Sequence, residues 1–243
     1  MRAKRQGGGL VGIRFVSVAL AIAAAVDARA QELLRRDEGK VRFYNVADSD
    51  FDEILEDATY AEQQWMRRRY ARMQTYSPFF DDHVSWYPRG WVYKDAYAIK
   101  PEWDVFEDHP EWILRDAAGN LLYIPWGCSG GSCPQYAADF GNPDYRAFWI
   151  AEAIDLWNTG YAGFWIDDVN MTWRVGDGDG NFVPPVDPRT GAIMTLDDWR
   201  LYMAEFMAEI REALPQAEIA HNVVWYAAPI GDPYQERQLA AAD

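Results

Sequence analysis

Tyr161-Ala-Gly-Phe-Trp-Ile-Asp-Asp-Val-Asn-Met171 is the stretch that decides the fold. Residues 163–166 carry no polar side chain, and two carboxylates, Asp167 and Asp168, stand where the run stops. A short unbroken apolar run fits a strand of a parallel sheet covered on both faces. Ligands bind at the carboxyl ends of such strands, because the loops there converge on one crevice. The acidic pair is therefore a candidate catalytic site. Strand alternation puts Gly163, Trp165 and Asp167 on one face, taken as the inner one, and Phe164 and Ile166 on the other. The same alternation makes Asp167 and Asp168 point apart, which argues against their forming the catalytic pair by themselves. The competing reading is that one of them only caps the next loop.

Working upstream, residues 135–140 read as another strand with Asp139 at its end. Asn142, Pro143 and Asp144 then open a helix, as cap, first helical residue and acid at the positive end of the dipole. Tyr145, Trp149, Ala153, Leu156 and Trp157 recur at helical spacing, and Thr159-Gly160 closes the segment. Strand, helix and strand together have the length of a crossover unit, about 30 residues. Before it, residues 91–99 form a β-branched and aromatic strand carrying Lys94 and Asp95. Both are candidate substrate contacts, with a self-satisfying ion pair as the alternative. Residues 74–80 fit a first barrel strand. Residues 59–73 fit a helix capped by Thr59 with Glu62. Residues 41–46 read as an edge strand or lead-in.

Residues 101–126 are an excursion. Ala117-Ala-Gly-Asn120 is a turn signal between hairpin arms at 112–114 and 121–124. With the cysteine loop that follows, this stretch is expected to wall the site and to offer Trp126 to substrate. Downstream, Thr195 and Asp198 open a helix whose apolar face is Leu196, Trp199, Met203, Phe206, Ile210 and Leu214, ended by Pro215. Residues 218–226 read as the next strand. His221 there fits a satisfied core position, with substrate contact as the alternative, while Asn222 and Trp225 are candidate substrate contacts. A further helix begins at residue 232.

Strands alternate with helices, and site-like residues recur at strand ends. That is the signature of an α/β fold of the (β/α)8 TIM-barrel type. About five or six strands can be counted where a closed barrel needs eight. The barrel is thus expected to be incomplete at its C-terminus.

The 243 residues are 49% hydrophobic with 12 Trp, enough for one globular domain. A net charge of −15 excludes nucleic acid as a partner, since phosphate binding needs a basic surface. An aromatic content of 15% suits stacking on neutral sugar rings. Residues 1–30 read as a secretory signal peptide: a basic start, 12 residues from Phe15 to Val26 that are apolar except for Ser17, and Ala28-Arg29-Ala30 before the cut. The segment holds five basic residues and one acid, so its removal takes the net charge from −15 to −19. The apolar run is too short to span a membrane. Residues 31–58 are then a lead-in and 59–243 the barrel-type domain, in a secreted or periplasmic protein with no span left after cleavage.

In that oxidising setting Cys128 and Cys133, within Gly127-Cys-Ser-Gly-Gly-Ser-Cys-Pro134, are expected to form a disulfide that shapes a small loop. The spacing does not suit zinc. Asp177-Gly-Asp-Gly-Asn181 matches part of a calcium loop but has Phe182 at the sixth position and Pro188 at the twelfth, so it reads as a solvated turn. No metal and no cofactor are expected.

Four pieces carry a family resemblance: Trp91-Val-Tyr-Lys-Asp95, Glu111-Trp-Ile-Leu-Arg-Asp-Ala-Ala-Gly-Asn120, Asp139-Phe-Gly-Asn-Pro143 and Gly163-Phe-Trp-Ile-Asp-Asp168. In this order they resemble the glycoside hydrolases of hypothetical glycosyl hydrolase family fifteen, over roughly residues 60–243. The resemblance implies a TIM-barrel glycosidase in which Asp167 matches a catalytic carboxylate. It also implies a second carboxylate on a later strand, beyond Asp243. The expected function is hydrolysis of a poly- or oligosaccharide by paired carboxyl groups. Asp167 would be nucleophile or base, and Asp168, Asp139 and Asp95 are candidates for the acid or for sugar hydroxyls. The rival is a non-catalytic carbohydrate-binding protein using the same cleft.

Overall fold

The computed structural model describes residues 58–76, 90–223 and 228–243. The signal peptide, nearly all of the lead-in, residues 77–80 and Trp225 lie outside the described residues. In chain order the elements are α1 (Tyr60–Arg69), β1 (Met73–Tyr76), β2 (Gly90–Asp95), β3 (Ala98–Ile99), α2 (Asp104–Asp108), β4 (Tyr136–Ala137), α3 (Pro143–Asn158), β5 (Gly163–Asp167), α4 (Leu196–Ala213), β6 (Glu218–His221) and α5 (Pro233–Leu239).

Four strands form one all-parallel sheet in the order β1-β2-β5-β6. The fold is thus mixed α/β around a parallel sheet, as the alternating pattern implies. Among the described residues the sheet does not close into an eight-stranded barrel. Its register runs Trp91↔Gly163 to Asp95↔Asp167, and Gly163↔Glu218 to Ile166↔His221. A glycine at 163 is obligatory, because a Cβ there would lie 1.8 Å from the Glu218 carbonyl oxygen. Glu218 also receives Trp91 Nε1 at 2.9 Å and pairs with Arg72, tying three strands together at the foot of the sheet.

Val92, Phe164, Ile166 and Ile219 are fully buried and join one core with Trp149, Trp199, Met203, Phe206 and Ile210 of the covering helices. Alternation predicts this face correctly. On the opposite face Tyr93, Trp165 and Asp167 are only partly buried. The helix starts are as the caps predict: the Thr59 and Thr195 capping boxes and the Asn142 cap all form.

Three local expectations are corrected. The helix from Thr59 stops at Arg69 because Tyr70 turns extended, and Met73 already belongs to β1. The strand from residue 91 breaks at Asp95, whose Oδ1 accepts from Tyr97 N at 2.8 Å and Ala98 N at 2.9 Å. Residues 135–140 do not enter the parallel sheet: β4 pairs antiparallel with β3, since β5 sits directly beside β2 and leaves no slot between them. The expected hairpin arms do meet, through Arg115↔Leu121 and Leu122 N donating to Leu114 O.

Candidate active site

The site is built at the carboxyl ends of β2, β5 and β6. Backbone bonds lock these ends side by side: Ala96 N donates to Asp167 O, Asn222 N to Ile166 O, and Val169 N to Asn222 O, at 3.0, 2.8 and 3.1 Å. The helices clamp the outgoing loops. Trp149 Nε1 donates to Asp95 O at 2.8 Å and Tyr145 Oη to Ala96 O at 3.0 Å. Trp199 Nε1 donates to Asn170 O at 2.8 Å and Arg200 Nε to Met171 O at 3.0 Å. Tryptophans that read as core positions therefore also fix the loops that carry the carboxylates.

Asp167 is held by three donors. Tyr93 Oη donates to Oδ2 at 2.8 Å, Asn222 Nδ2 to Oδ1 at 2.6 Å, and Asp168 N to Oδ1 at 2.8 Å. Such a carboxylate is fixed in orientation before any substrate arrives.

Asp168 has a φ of 54°, the one left-handed non-glycine residue among those described. That turn ends the strand alternation, so Asp168 lines the same cleft as Asp167 instead of pointing away. The expectation that the two point apart fails for this reason. Burial and then the charge of Asp167 raise the Asp168 pKa, against the Asn170 amide, which donates to its Oδ1 at 2.8 Å, and against Arg174 and Asp95. Asp95 is buried beneath, and its pKa is pushed well up by burial, by Asp168 and by Asp167, against its two backbone donors.

The cleft has a volume of about 1340 Å³. Its acidic end holds Asp95, Asp167, Asp168, Asn222 and Arg174, and its wall includes Trp126 and Trp103, both exposed. Trp126 precedes the disulfide loop. Cys128 and Cys133 are bonded, and Ser129 bridges Ser132 inside the loop. Gly178 abuts that loop so closely that a Cβ would lie 1.8 Å from Gly131 O. The 177–181 turn is closed by its own Asp177, whose Oδ1 accepts from the backbone of Asp179 and Asn181 at 3.0 Å each. Among the described residues no group of three or more His, Cys, Asp or Glu is placed to hold a metal ion.

The structure thus brings together Asp95, Asp167, Asp168, Asn222 and Trp126. Lys94 lies at the helix-covered side of the same cleft, with Nζ 2.7 Å from Glu152 of α3 and 4.9 Å from the Trp149 ring centre. Asp139 is not in the cleft. It is buried and paired with Arg189 at 3.0 Å, because its strand belongs to the small antiparallel pair. Gln238 Nε2 donates to His221 Nδ1 at 2.6 Å, and His221 does not line the cleft. Sequence reasoning missed Tyr93, Asn170 and Arg174. Tyr93 was within reach, since it alternates onto the Asp95 face two residues earlier. Nothing local in the sequence marks Arg174.

No family model matches the sequence, and no curated protein matches it. Solved structures of similar chain path include glycoside hydrolases. One is the glycoside hydrolase domain of PelA from Pseudomonas aeruginosa, at 12% identity and TM-score 0.46, with 81% of this chain over 64% of that one. Another is an alpha-galactosidase from Thermus thermophilus in complex with stachyose, at 16% identity and TM-score 0.49, with 75% of this chain over 39% of that one. A third is a cycloisomaltooligosaccharide glucanotransferase from Paenibacillus sp., at 15% identity and TM-score 0.46, covering 76% and 29%. This chain spans less than two thirds of each of the three.

Proposed function

We propose that the cleft hydrolyses glycosidic bonds of a poly- or oligosaccharide, in an exported protein that loses residues 1–30. The observation that carries the reading is the pairing of Asp167, oriented by Tyr93, Asn222 and a backbone N–H, with a second carboxyl group in the same cleft that keeps its proton to higher pH. Glycoside cleavage needs those two states side by side. Asp168 gives its proton to the glycosidic oxygen as the carbon–oxygen bond breaks. Asp167 attacks the anomeric carbon or takes a proton from the water that does. Trp126 and Trp103 offer ring faces to sugar units along the wall. The bonded cysteine pair supports export to an oxidising compartment.

The test is release of reducing ends from a polysaccharide panel, by the chain and by its Asp167→Asn variant. Turnover should fall at least about 10³-fold in the variant. Sugar binding by calorimetry with no reducing ends released by the unaltered chain would instead favour a binding protein. N-terminal sequencing of the exported form should begin at Gln31.

A further inference from the structure

Arg174 sits on the loop after β5, and its backbone is fixed from both sides. Its carbonyl accepts from the Tyr97 hydroxyl at 3.3 Å, and Gly176, two residues on, exchanges two 2.9 Å bonds with Tyr123. The side chain is partly buried and lines the acidic end of the cleft. Its Nε is fully buried with no hydrogen-bond partner, and its guanidinium forms no ion pair or hydrogen bond with any described residue. The other arginines buried in the domain, Arg72, Arg146 and Arg200, are all engaged by carboxylates or carbonyls. Unsatisfied buried donors are rare in folded proteins and call for an explanation.

We propose that Arg174 is a substrate-anchoring residue that takes two adjacent hydroxyl oxygens of a neutral sugar. This rests on the reading of the cleft as a carbohydrate site. A guanidinium presents parallel N–H groups at a spacing that matches two neighbouring acceptor oxygens. Carboxylate-bearing sugars offer such a pair as well, but Asp95, Asp167 and Asp168 already gather three carboxyl groups at this end. Burial first, and then the neighbouring carboxyl groups, raise the pKa values of Asp95 and Asp168. A further carboxylate would meet repulsion there, whereas hydroxyls satisfy the guanidinium without adding charge. Arg174 makes no ion pair with Asp168, although its positive charge works against the rise in the Asp168 pKa.

The experiment is calorimetry on the full chain carrying Asp167→Asn, titrated with neutral gluco- and galacto-oligosaccharides and, separately, with oligogalacturonides. A neutral series should bind, and adding Arg174→Ala should weaken that binding about 10- to 100-fold. Arg174→Lys should recover only part of it, because an ammonium lacks the planar fork. In the otherwise unaltered chain, Arg174→Ala should raise KM more than it lowers kcat. Neutral binding unchanged by both substitutions, or tighter binding of the oligogalacturonides, overturns the assignment and leaves the hydrolase reading standing. Sugar binding with no reducing ends released by the unaltered chain overturns the hydrolase reading and leaves Arg174-dependent binding standing. Binding of neither series, by a chain with native circular dichroism, overturns both.

Discussion

Asn222 Nδ2 donates to Asp167 Oδ1 at 2.6 Å across the ends of two neighbouring parallel strands. The bond links residues 55 positions apart in the chain. It makes the orientation of Asp167 depend on β6 as well as on its own strand. Asn222→Ala should therefore lower kcat on the order of 10- to 100-fold, as expected for losing a hydrogen bond to a charged group. Tyr93→Phe, which removes the bond to Oδ2, should lower it about tenfold. Steady-state kinetics on any substrate the chain turns over checks both, and unchanged kcat in both variants would falsify the orienting role.

Asp168 holds its proton to higher pH than an ordinary carboxylate, mainly through burial and then through Asp167. If it is the acid, activity falls as pH rises through that raised pKa. Asp168→Asn should abolish this alkaline limb and leave a low, flat rate. Aryl glycosides with good leaving groups need no protonation, so the variant should lose far less on them than on polysaccharide. Equal losses on both substrate types would assign the acid elsewhere.

Asp95 is buried with its pKa raised well above the unfolded value of about 3.9. The folded state binds this proton more tightly, so stability declines as pH climbs from about 4 through the folded pKa. Asp95→Asn keeps an acceptor for Tyr97 N and Ala98 N and removes the charge. Its melting temperature should match the parent near pH 4 and exceed it at pH 7. About 1 kcal/mol of relief would appear as roughly 2–4 °C. A variant less stable at pH 7 than at pH 4, relative to the parent, would count against this account.

How much of this was legible in the sequence depends on the range of the signal. Phe164 and Ile166 declared the buried face through period-two spacing, and Thr59, Asn142 and Thr195 declared helix starts through local capping chemistry. Asp167 was legible because a strand end is a local event. Asp139 looked equivalent on the same local grounds. Its strand joined a different sheet, a choice made by β5 lying against β2, and that pairing spans some 70 residues. The shared cleft of Asp167 and Asp168 was invisible for a different reason: a left-handed φ at one aspartate leaves no trace in the residue order.

The Asp139–Arg189 pair gives a control for the site. Asp139 is 3% exposed and Arg189 30%, so Arg189→Ala strands a buried carboxylate. Removing one partner of such a pair costs about 3 kcal/mol, which urea unfolding would reveal. At temperatures where the variant is folded, kcat/KM should stay within about twofold of the parent. A large loss of kcat/KM in a folded variant would return Asp139 to the candidate contacts.

Gly163→Ala tests the strand spacing itself. The new Cβ would meet the Glu218 carbonyl at 1.8 Å. Backbone cannot yield as a side-chain tip does, so a loss of at least about 3 kcal/mol or failure to fold is expected. Urea denaturation measures it, and a parent-like midpoint would rule out the close approach of β5 to β6 at Gly163.

The left-handed backbone at Asp168 also restricts which residues can ever replace it. Asparagine and glycine enter that conformation readily; alanine, glutamate and β-branched residues do so at a cost. In a saturation library, position 168 should therefore tolerate Asp, Asn and Gly for folding but only Asp for full activity. Glutamate, the natural choice for testing whether a carboxylate suffices, would shift the loop that leads to Asn170 and Arg174 while it moves the carboxyl group. Its failure would confound chemistry with backbone geometry, which leaves asparagine as the one substitution that reports on the proton alone.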